Sequence, residues 1–314
     1  MHKMRLALNM LVVLAICLLC SSAANAQACR TWVSATGSDA NPCSRTAPCQ
    51  TFAGAIAKTA EGGEIDVIDP GGYGAVTITK SITIDGGTGS GWASILASGT
   101  NGVIVNVTTN PTTAVVTLRH ISINGTRNGT TCADGLNGIR YLAGSRLLVD
   151  ECTIFGFSQK AIDVNLAATG TLTVTESVIE DDFDGIVMTN SAGTMKGVVT
   201  GTRITNTTNS GLNLLSGIAS ISNSVVANNA SFGVIAQGGS SIVVTDSVLS
   251  NNVTAIRTAA ATSTVRMSGN QLLNNTTAVN NSGVVSSSVD NKFLGNTTDV
   301  AGSAITNCTP GCVK

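Results

Sequence analysis

The densest group of residues that could do chemistry in this chain is acidic. Glu176, Glu180, Asp181, Asp182 and Asp184 all fall within the segment "TESVIEDDFDGIVM". Two carboxyl groups on one face could cleave a glycosidic bond, one as proton donor and the other by activating water. Several carboxylates together could instead bind Ca²⁺, because that ion prefers oxygen ligands. The segment therefore supplies the catalytic candidates Asp184 and Asp182 and the metal candidates Glu180, Asp181 and Asp182.

Other residues with catalytic potential are few. Asp163 is a third catalytic candidate, and Lys160 and Arg140 precede it closely enough to serve as bases in a lyase. His120 is the only histidine beyond residue 26, and the sequence offers no partner for it, so we interpret it as a structural or surface residue. Nucleophile elbows, phosphate-binding loops and nicotinamide fingerprints are absent. No cofactor is predicted, and bound Ca²⁺ is the alternative.

The elements that position these residues are repeats. A hydrophobic residue returns seven times, at intervals of 21 to 25 residues. A small or polar residue precedes each by two positions, and Asn, Asp or Gly follows most of them by two or three. Self-similarity at such a period indicates one supersecondary unit stacked many times. The repeated hydrophobic residues are Ile154, Ile179, Ile204, Val226, Leu249, Leu272 and Phe293.

The composition of each repeat indicates strands rather than helices. Val, Ile, Thr and Ser alternate in runs of four to six residues, separated by Asn, Gly or Asp. Stacked coils would place like residues above like at about 4.8 Å. A column of asparagines could then hydrogen-bond from coil to coil and tolerate the left-handed backbone of tight turns. The sequence predicts an all-β chain, a parallel β-helix of about nine or ten coils.

The repeats resemble a known superfamily. "TDSVLSNNVTAIRT" and its sister segments are similar to the right-handed parallel β-helix repeats of the pectin lyase-like superfamily, and the segment from Arg30 to Gly86 resembles the capping module of secreted bacterial proteins of that kind. This resemblance implies the fold more than the function, because the superfamily includes lyases, hydrolases, epimerases, tailspike-like adhesins and non-catalytic members.

The resemblance gives little support to an enzyme. In polygalacturonase-like hydrolases a pair of aspartates precedes the closing strand of a coil, and here Asp184 matches the second but Phe183 occupies the first. Ser210 stands where the family has a histidine, and Lys160 falls where another aspartate is expected. The Arg-x-Pro-x-x-Arg signature of pectate lyases is absent. We therefore interpret the acidic segment as a solvated turn, and the protein more readily as a binder than as an enzyme.

A binding face is predicted on the closing strand of the coils. Its outward residues have little net charge and are edged by Ser, Thr and Asn, which suits an extended glycan or an inert wall. The predicted function is a binding or structural role with a polysaccharide or cell-surface glycan as partner. The alternatives are a polysaccharide lyase or glycoside hydrolase, and an adhesin-like surface scaffold. The outward residues are Arg140, Asp163, Val187, Asn213, Ile235, Arg257 and Asn280, of which Arg140, Asp163, Asn213 and Arg257 are the predicted binding residues.

Composition and the first residues indicate where the protein acts. The formal net charge is −1 and only 11% of residues are charged, which argues against a nucleic-acid partner. Lys3 and Arg5 precede an apolar stretch, and Ala24-Asn25-Ala26 forms a small-residue cleavage site. The sequence thus predicts a signal peptide over residues 1–26 and a secreted or periplasmic bacterial protein. No membrane span is predicted after cleavage.

The remaining chain divides into three predicted parts. Residues 27–93 form an N-terminal cap and first coils, with an amphipathic helix from Thr51 to Ala60, residues 94–300 form the regular coils, and residues 301–314 form a C-terminal lid.

Seven cysteines follow the predicted cleavage site, and export makes disulfides plausible. Close spacing in polar loops favours the pairs Cys43–Cys49 and Cys308–Cys312. Cys152 lies in the small-residue column, which favours a buried thiol over a bridge to Cys132. The pairing of Cys29 is left open.

Overall fold

The computed structural model describes residues 27–87, 93–127 and 131–308. Within these ranges the chain forms one short helix and 32 strands, and each coil contributes one strand to each of three parallel sheets. Sheet 1 contains β1 Ala28–Val33, β2 Thr59–Val67, β5 Ile82–Asp85, β8 Val115–Arg119, β11 Arg146–Asp150, β14 Gly170–Thr175, β17 Met195–Thr200, β20 Ile218–Ser222, β23 Ser241–Thr245, β26 Thr264–Ser268, β29 Val284–Ser288 and β32 Thr306–Cys308. Sheet 2 contains β3 Gly71–Gly72, β6 Ala93–Leu96, β9 Ile121–Asn124, β12 Thr153–Phe155, β15 Val178–Glu180, β18 Arg203–Thr205, β21 Val225–Ala227, β24 Val248–Ser250, β27 Gln271–Leu273 and β30 Lys292–Leu294. Sheet 3 contains β4 Val76–Ile78, β7 Val103–Asn106, β10 Gly135–Ala143, β13 Phe157–Leu166, β16 Asp184–Asn190, β19 Ser210–Leu214, β22 Phe232–Ala236, β25 Thr254–Thr258, β28 Thr277–Asn281 and β31 Thr298–Gly302.

The repeated hydrophobic residues form one column in sheet 2. Ile154 pairs with Ile179, Ile179 with Ile204, and the pairing continues in register to Phe293. All members except Phe293 are fully buried. The predicted β-helix of about ten coils is confirmed, because each step of the sequence repeat is one turn of the solenoid.

Polar ladders inside the two turns that flank sheet 2 hold successive coils together. The turn-1 ladder consists of Cys152, Ser177, Thr202, Ser224, Ser247, Asn270 and Asn291, and the turn-2 ladder of Asp182, Thr207, Asn229, Asn252, Asn275 and Asn296. In the turn-2 ladder the backbone N–H and the side-chain amide of Asn252 both donate to Asn275 Oδ1, at 2.9 and 3.1 Å. The same amide donates to Val226 O at 3.0 Å. The asparagines thereby satisfy turn backbone that would otherwise be buried without partners.

The first coil is covered by a helix, α1, which runs over Phe52–Ile56. Thr51 caps it by accepting from the Gly54 N–H, and Phe52 packs against Tyr73 with ring centroids 5.2 Å apart. The sequence predicts a longer helix, to Ala60. The chain instead enters β2 at Thr59, whose hydroxyl meets that of Thr31 at 2.8 Å in the first strand pair. Sheet pairing therefore ends the helix early.

The cysteines are used in two ways. Cys43 and Cys49 form the predicted disulfide. Cys152 is a buried free thiol, and burial raises its pKa to about 12. Cys29 and Cys132 are exposed and free. The predicted Cys308–Cys312 pair includes a residue outside the described ranges and stays a prediction, as does the signal peptide over residues 1–26.

Coil stacking is continuous across residue 93, where the predicted cap meets the predicted regular coils: β6 pairs with β3 on one side and with β9 on the other. The part of the chain that the structure describes contains no helix with the length and hydropathy of a membrane span.

Candidate functional site

The turn between sheet 2 and sheet 3 positions the acidic segment. In three successive coils the chain leaves sheet 2 through a residue in the left-handed region: Gly156 (φ 79°), Asp181 (φ 61°) and Asn206 (φ 59°). Gly, Asp and Asn are the residue types that adopt this conformation at least cost. Residues in and next to this turn line two neighbouring hollows.

The first hollow, here called the sheet-3 hollow, has a volume of about 250 Å³ and is lined by Ser158, Gln159, Lys160, Phe183 and Asp184. Lys160 lies beside Asp184 in the register of β13 and β16. The ring of Phe183 is 42% exposed, whereas Phe157 one coil earlier is fully buried. An exposed ring beside fixed polar groups is typical of a surface that binds a ligand.

Asp163 lies beside this hollow and pairs with two basic residues, Lys160 of its lining and Arg140 of the preceding coil. Its Oδ1 lies 2.7 Å from Lys160 Nζ and its Oδ2 lies 3.3 Å from Arg140 Nε. Asp163 is only 5% exposed, and a buried carboxylate needs such partners to offset its lost hydration. The two cations are thereby held in place and their charge is partly neutralised.

Asp184 is a second buried carboxyl group on this face. Its Oδ1 accepts hydrogen bonds from Asn209 Nδ2 (2.9 Å) and from the backbone N–H of Ser210 (3.0 Å). Burial raises the pKa of Asp184, while these two hydrogen bonds and the charge of Lys160 oppose the rise. A carboxyl group with a raised pKa can donate a proton to a bound molecule.

The predicted outward residues of the closing strand occupy one column of sheet 3. Arg140 pairs with Asp163, Asp163 with Val187, and the pairing continues through Asn213, Ile235 and Arg257 to Asn280. Arg140 and Asp163 lie next to the sheet-3 hollow, because Asp163 pairs with Lys160 of its lining. Asn213 lies further along, where it accepts from Gln237 Nε2 at 2.8 Å. Arg257 lies further still, with its guanidinium carbon 4.9 Å from the centroid of the Phe232 ring.

The second hollow, here called the turn hollow, lies beside Thr126, Arg127 and Cys132, which follow β9. It has a volume of about 640 Å³ and is lined by Asn124, Thr126, Arg127, Cys132, Phe155, Gly156, Asp181, Asn206 and Thr208. Arg127 reaches across the coils, where it donates to Asp181 O (3.4 Å) and to Thr208 Oγ1 (3.2 Å). Insertions in solenoids often form the binding face. Asp181 and Phe183 line different hollows although they are two residues apart, so the hollows adjoin each other.

The three candidate metal ligands do not converge. Glu180 pairs with Arg203 at 2.9 Å. Asp181 faces the turn hollow, and Asp182 is fully buried with its Oδ1 accepting from the Phe157 N–H at 2.7 Å. Within the described ranges, no group of three or more His, Cys, Asp or Glu side chains is arranged to bind a metal ion.

The position of Asp182 differs from the solvated turn that the sequence suggests. Asp182 occupies the place of asparagine in the turn-2 ladder, and its Oδ2 is buried without a hydrogen-bond partner. Burial raises its pKa to about 8. Asp182 is fully buried and cannot touch a substrate, whereas Asp163 and Asp184 keep a small exposure of 5% and 6%.

His120 has partners that the sequence does not reveal. It lies in the turn between β8 and β9 with a φ of 57°, and its Nδ1 lies 2.8 Å from Asp85 Oδ1. Its Nε2 lies 3.7 Å from Glu151 Oε2. Asp85 and Glu151 are 35 and 31 positions from His120 along the chain. The stacking of coils brings them together, so the local sequence does not reveal them as partners. They lie in the turn between sheets 1 and 2, apart from the residues that line the two hollows.

Comparisons with known proteins identify the fold. No family model matches the chain, and no curated protein sequence matches it either. Among solved structures, the pectate lyase Pel9A is 17% identical with a TM-score of 0.65, covering 88% of this chain and 78% of its own. The enzymatically active domain of tailspike protein 2 from bacteriophage CBA120 is 13% identical with a TM-score of 0.58, covering 82% of this chain and 43% of its own.

A third similar structure is the GH136 lacto-N-biosidase from Eubacterium ramulus. It is 8% identical with a TM-score of 0.56, covering 88% of this chain and 67% of its own. The chain therefore has the right-handed parallel β-helix fold of the pectin lyase-like proteins, as its repeats indicate. At these identities the likeness concerns the fold alone.

Proposed function

We propose that this protein binds an extended glycan across sheet 3, with the sheet-3 hollow as the principal contact. The observation that carries the proposal is the exposed ring of Phe183 beside Lys160 and Asp184. A phenyl ring packs against the apolar face of a sugar ring, while fixed polar groups hydrogen-bond to the hydroxyl groups at its edge. The adjoining turn hollow, with Phe155, Arg127 and Asn206 in its lining, extends the same surface.

The charges of the hollow favour an uncharged sugar there. Lys160 and Arg140 both contact Asp163, and Asp184 lies beside Lys160. An acidic sugar would have to compete with Asp163 for these cations. A neutral sugar can instead accept from the cations and donate to the carboxyl groups without disturbing either pair.

The similar structures support this proposal only through their shared fold. Two of them are named as enzymes that act on glycans, a pectate lyase and a lacto-N-biosidase. The Cys43–Cys49 disulfide favours an oxidising compartment, which agrees with the export that the first 26 residues predict. A secreted or periplasmic protein meets cell-surface and environmental polysaccharides directly.

Replacing Phe183 with alanine is expected to weaken glycan binding about fivefold without loss of stability, since a stacked ring contributes on the order of 1 kcal/mol. The measurement is affinity electrophoresis of residues 27–314 on neutral and acidic polysaccharides. Val289→Ala is the matched control, because Val289 is an apolar residue that is 84% exposed and lies outside both hollows. Equal affinity of the Phe183→Ala variant and the parent on every retained polysaccharide would contradict the proposal.

A second candidate function is cleavage of the bound glycan, and the raised pKa of Asp184 favours it. In this scheme the protonated Asp184 carboxyl donates its proton to the leaving oxygen. Activity would be lost as pH rises through the pKa of Asp184, because the proton donor is then ionised.

Asp184→Asn is expected to remove turnover while leaving the melting temperature close to that of the parent, since the amide can still accept from Ser210. Turnover is followed as reducing ends and unsaturated products on polygalacturonate, alginate and neutral glycans, with and without Ca²⁺. Turnover that survives the substitution excludes Asp184 as the acid. An inactive parent that still binds glycan leaves binding as the function, and one that neither cleaves nor binds favours a surface scaffold.

A further inference from the structure

Arg257 differs from the other basic residues on the outward column of sheet 3. Arg140 pairs with Asp163, and Lys160 pairs with the same carboxylate. Within the described ranges Arg257 forms no ion pair, and its Nε is buried without a hydrogen-bond partner. Its guanidinium carbon lies 4.9 Å from the centroid of the Phe232 ring.

This contact fixes the guanidinium rather than neutralising it. Phe232 pairs with Thr254 in the register of β22 and β25, so the ring comes from the coil before Arg257. A cation over an aromatic face keeps its full charge, and the contact restricts the movement of the guanidinium. The two terminal nitrogens of the guanidinium then remain available for a bidentate acceptor such as a carboxylate or a sulfate, whereas Nε is buried.

The described residues next to Arg257 in its column are an apolar residue and an amide. Its neighbours in the column are Ile235, which is only 5% exposed, and Asn280. The Asn213–Gln237 pair lies beyond Ile235 and leaves the Asn213 amide free to donate. Among the described residues no carboxylate forms an ion pair with Arg257, so an anionic group placed here would pair with the terminal nitrogens of its guanidinium, and the buried Nε would take no part in this contact.

We propose that Arg257 is the centre of an anion-binding subsite for the glycan, which takes a carboxylate or sulfate group. The inference rests on the proposed function and refines its ligand: a chain with neutral sugars at the sheet-3 hollow and an acidic group further along. β25 lies three strands from β16 in sheet 3, so the two positions are about 14 Å apart at the usual strand spacing. The ligand class is thus a glycan of mixed charge, rather than a neutral or uniformly acidic polymer.

The subsite can be tested without a polymer. The Nε–H resonance of Arg257 is followed by NMR while glucuronate, inorganic sulfate or glucose is added to residues 27–314. A saturable shift with glucuronate or sulfate and none with glucose is expected, and the two anions separate a carboxylate from a sulfate subsite. Absence of a shift with both anions would overturn the subsite even if glycans bind elsewhere on the protein.

The polymer arm uses glucuronoxylan, which carries spaced acidic residues on a neutral chain, and its carboxyl-reduced form. The parent is expected to bind the acidic form about tenfold more tightly. Arg257→Gln should remove this preference and leave affinity for the reduced form within twofold, whereas Arg257→Lys should keep part of it. Arg266→Gln is the matched control, because Arg266 lies in β26 of sheet 1 and contacts Ser241 Oγ.

The outcomes separate the two proposals. A preference for the acidic form that persists in Arg257→Gln, or no preference in the parent, overturns the subsite and leaves glycan binding in place. Weaker binding of both forms by the Phe183→Ala variant, with the NMR shift of Arg257 intact, supports both proposals. Failure of the parent to bind either polymer contradicts the proposed function. In that case the Arg257 subsite is also excluded as a glycan-binding site.

Discussion

Asparagine in place of Asp182 is expected to stabilise the protein at neutral and alkaline pH and to remove a large part of the pH dependence of its stability. Asp182 is fully buried in the turn-2 ladder, where the equivalent residues of later coils are Asn229, Asn252 and Asn275. Its Oδ1 accepts from Phe157 as an asparagine would, but its Oδ2 has no partner. In an asparagine that atom becomes a donor, and Asn252 uses it to reach Val226 O.

The direction of the effect follows from the raised pKa of Asp182. Burial raises it to about 8, compared with about 4 for an aspartate in an unfolded chain. At any pH between these two pKa values, the folded protein therefore keeps a proton on Asp182 that the unfolded chain has lost. The contribution of the protonated Asp182 carboxyl group to the free energy of unfolding is fully present below about pH 4. It falls as the pH rises and is lost once the pH passes through about 8. Four pKa units correspond to about 5 kcal/mol, and asparagine has no such loss.

The measurement is urea unfolding of the parent and of Asp182→Asn between pH 4 and pH 9. The difference in free energy of unfolding is expected to be small at pH 4 and to grow by several kcal/mol by pH 8. Asp134→Asn is the control, because Asp134 is an exposed carboxylate and its replacement should give a nearly constant difference. A pH-independent difference for Asp182→Asn would mean that Asp182 is ionised in the folded protein.

The stacking could be predicted from the sequence because each coil repeats the same physical requirements. An inward aliphatic such as Ile179 must lie above Ile154 and below Ile204, and the spacing of these residues alone gives the register. The turn-2 ladder was visible as well, since Asp182 aligns with Asn229 and Asn252 in the repeat. The position of Asp182 in the turn-2 ladder therefore predicts a buried side chain, whereas the charge of an aspartate predicts an exposed one.

The candidate site could be predicted only in part, because its contacts join different coils. The outward column from Arg140 to Asn280 follows from alternation within the strands, and those residues are paired in register. The pairing of Lys160 and Arg140 on one carboxylate depends on side-chain direction. The exposure of Phe183 depends on the path of the turn, and the insertion after β9 has no repeat with which to align it.

Replacing Ile204 with aspartate is expected to abolish folding. Ile204 is fully buried in sheet 2 and pairs with Ile179 on one side and Val226 on the other. A carboxylate there would have no partner, and burying an unpaired charge costs more than the 5–15 kcal/mol by which a typical domain is stable. Circular dichroism and thermal unfolding of the purified variant measure the outcome, and a native-like melt would show that the register is wrong.

The decisive control is the same charge on the other face of the same sheet. Val225 pairs with Arg203, is 38% exposed and immediately precedes the buried Val226. Val225→Asp should fold with a change of about 1 kcal/mol or less, because its carboxylate stays in water beside the Arg203 guanidinium. A solenoid is stabilised by contacts between neighbouring coils, so the charge at Ile204 disrupts the interfaces with the coils on both sides. Loss of folding in both variants would point to a general intolerance of acidic residues in sheet 2, and only the predicted contrast supports the inward position of the column.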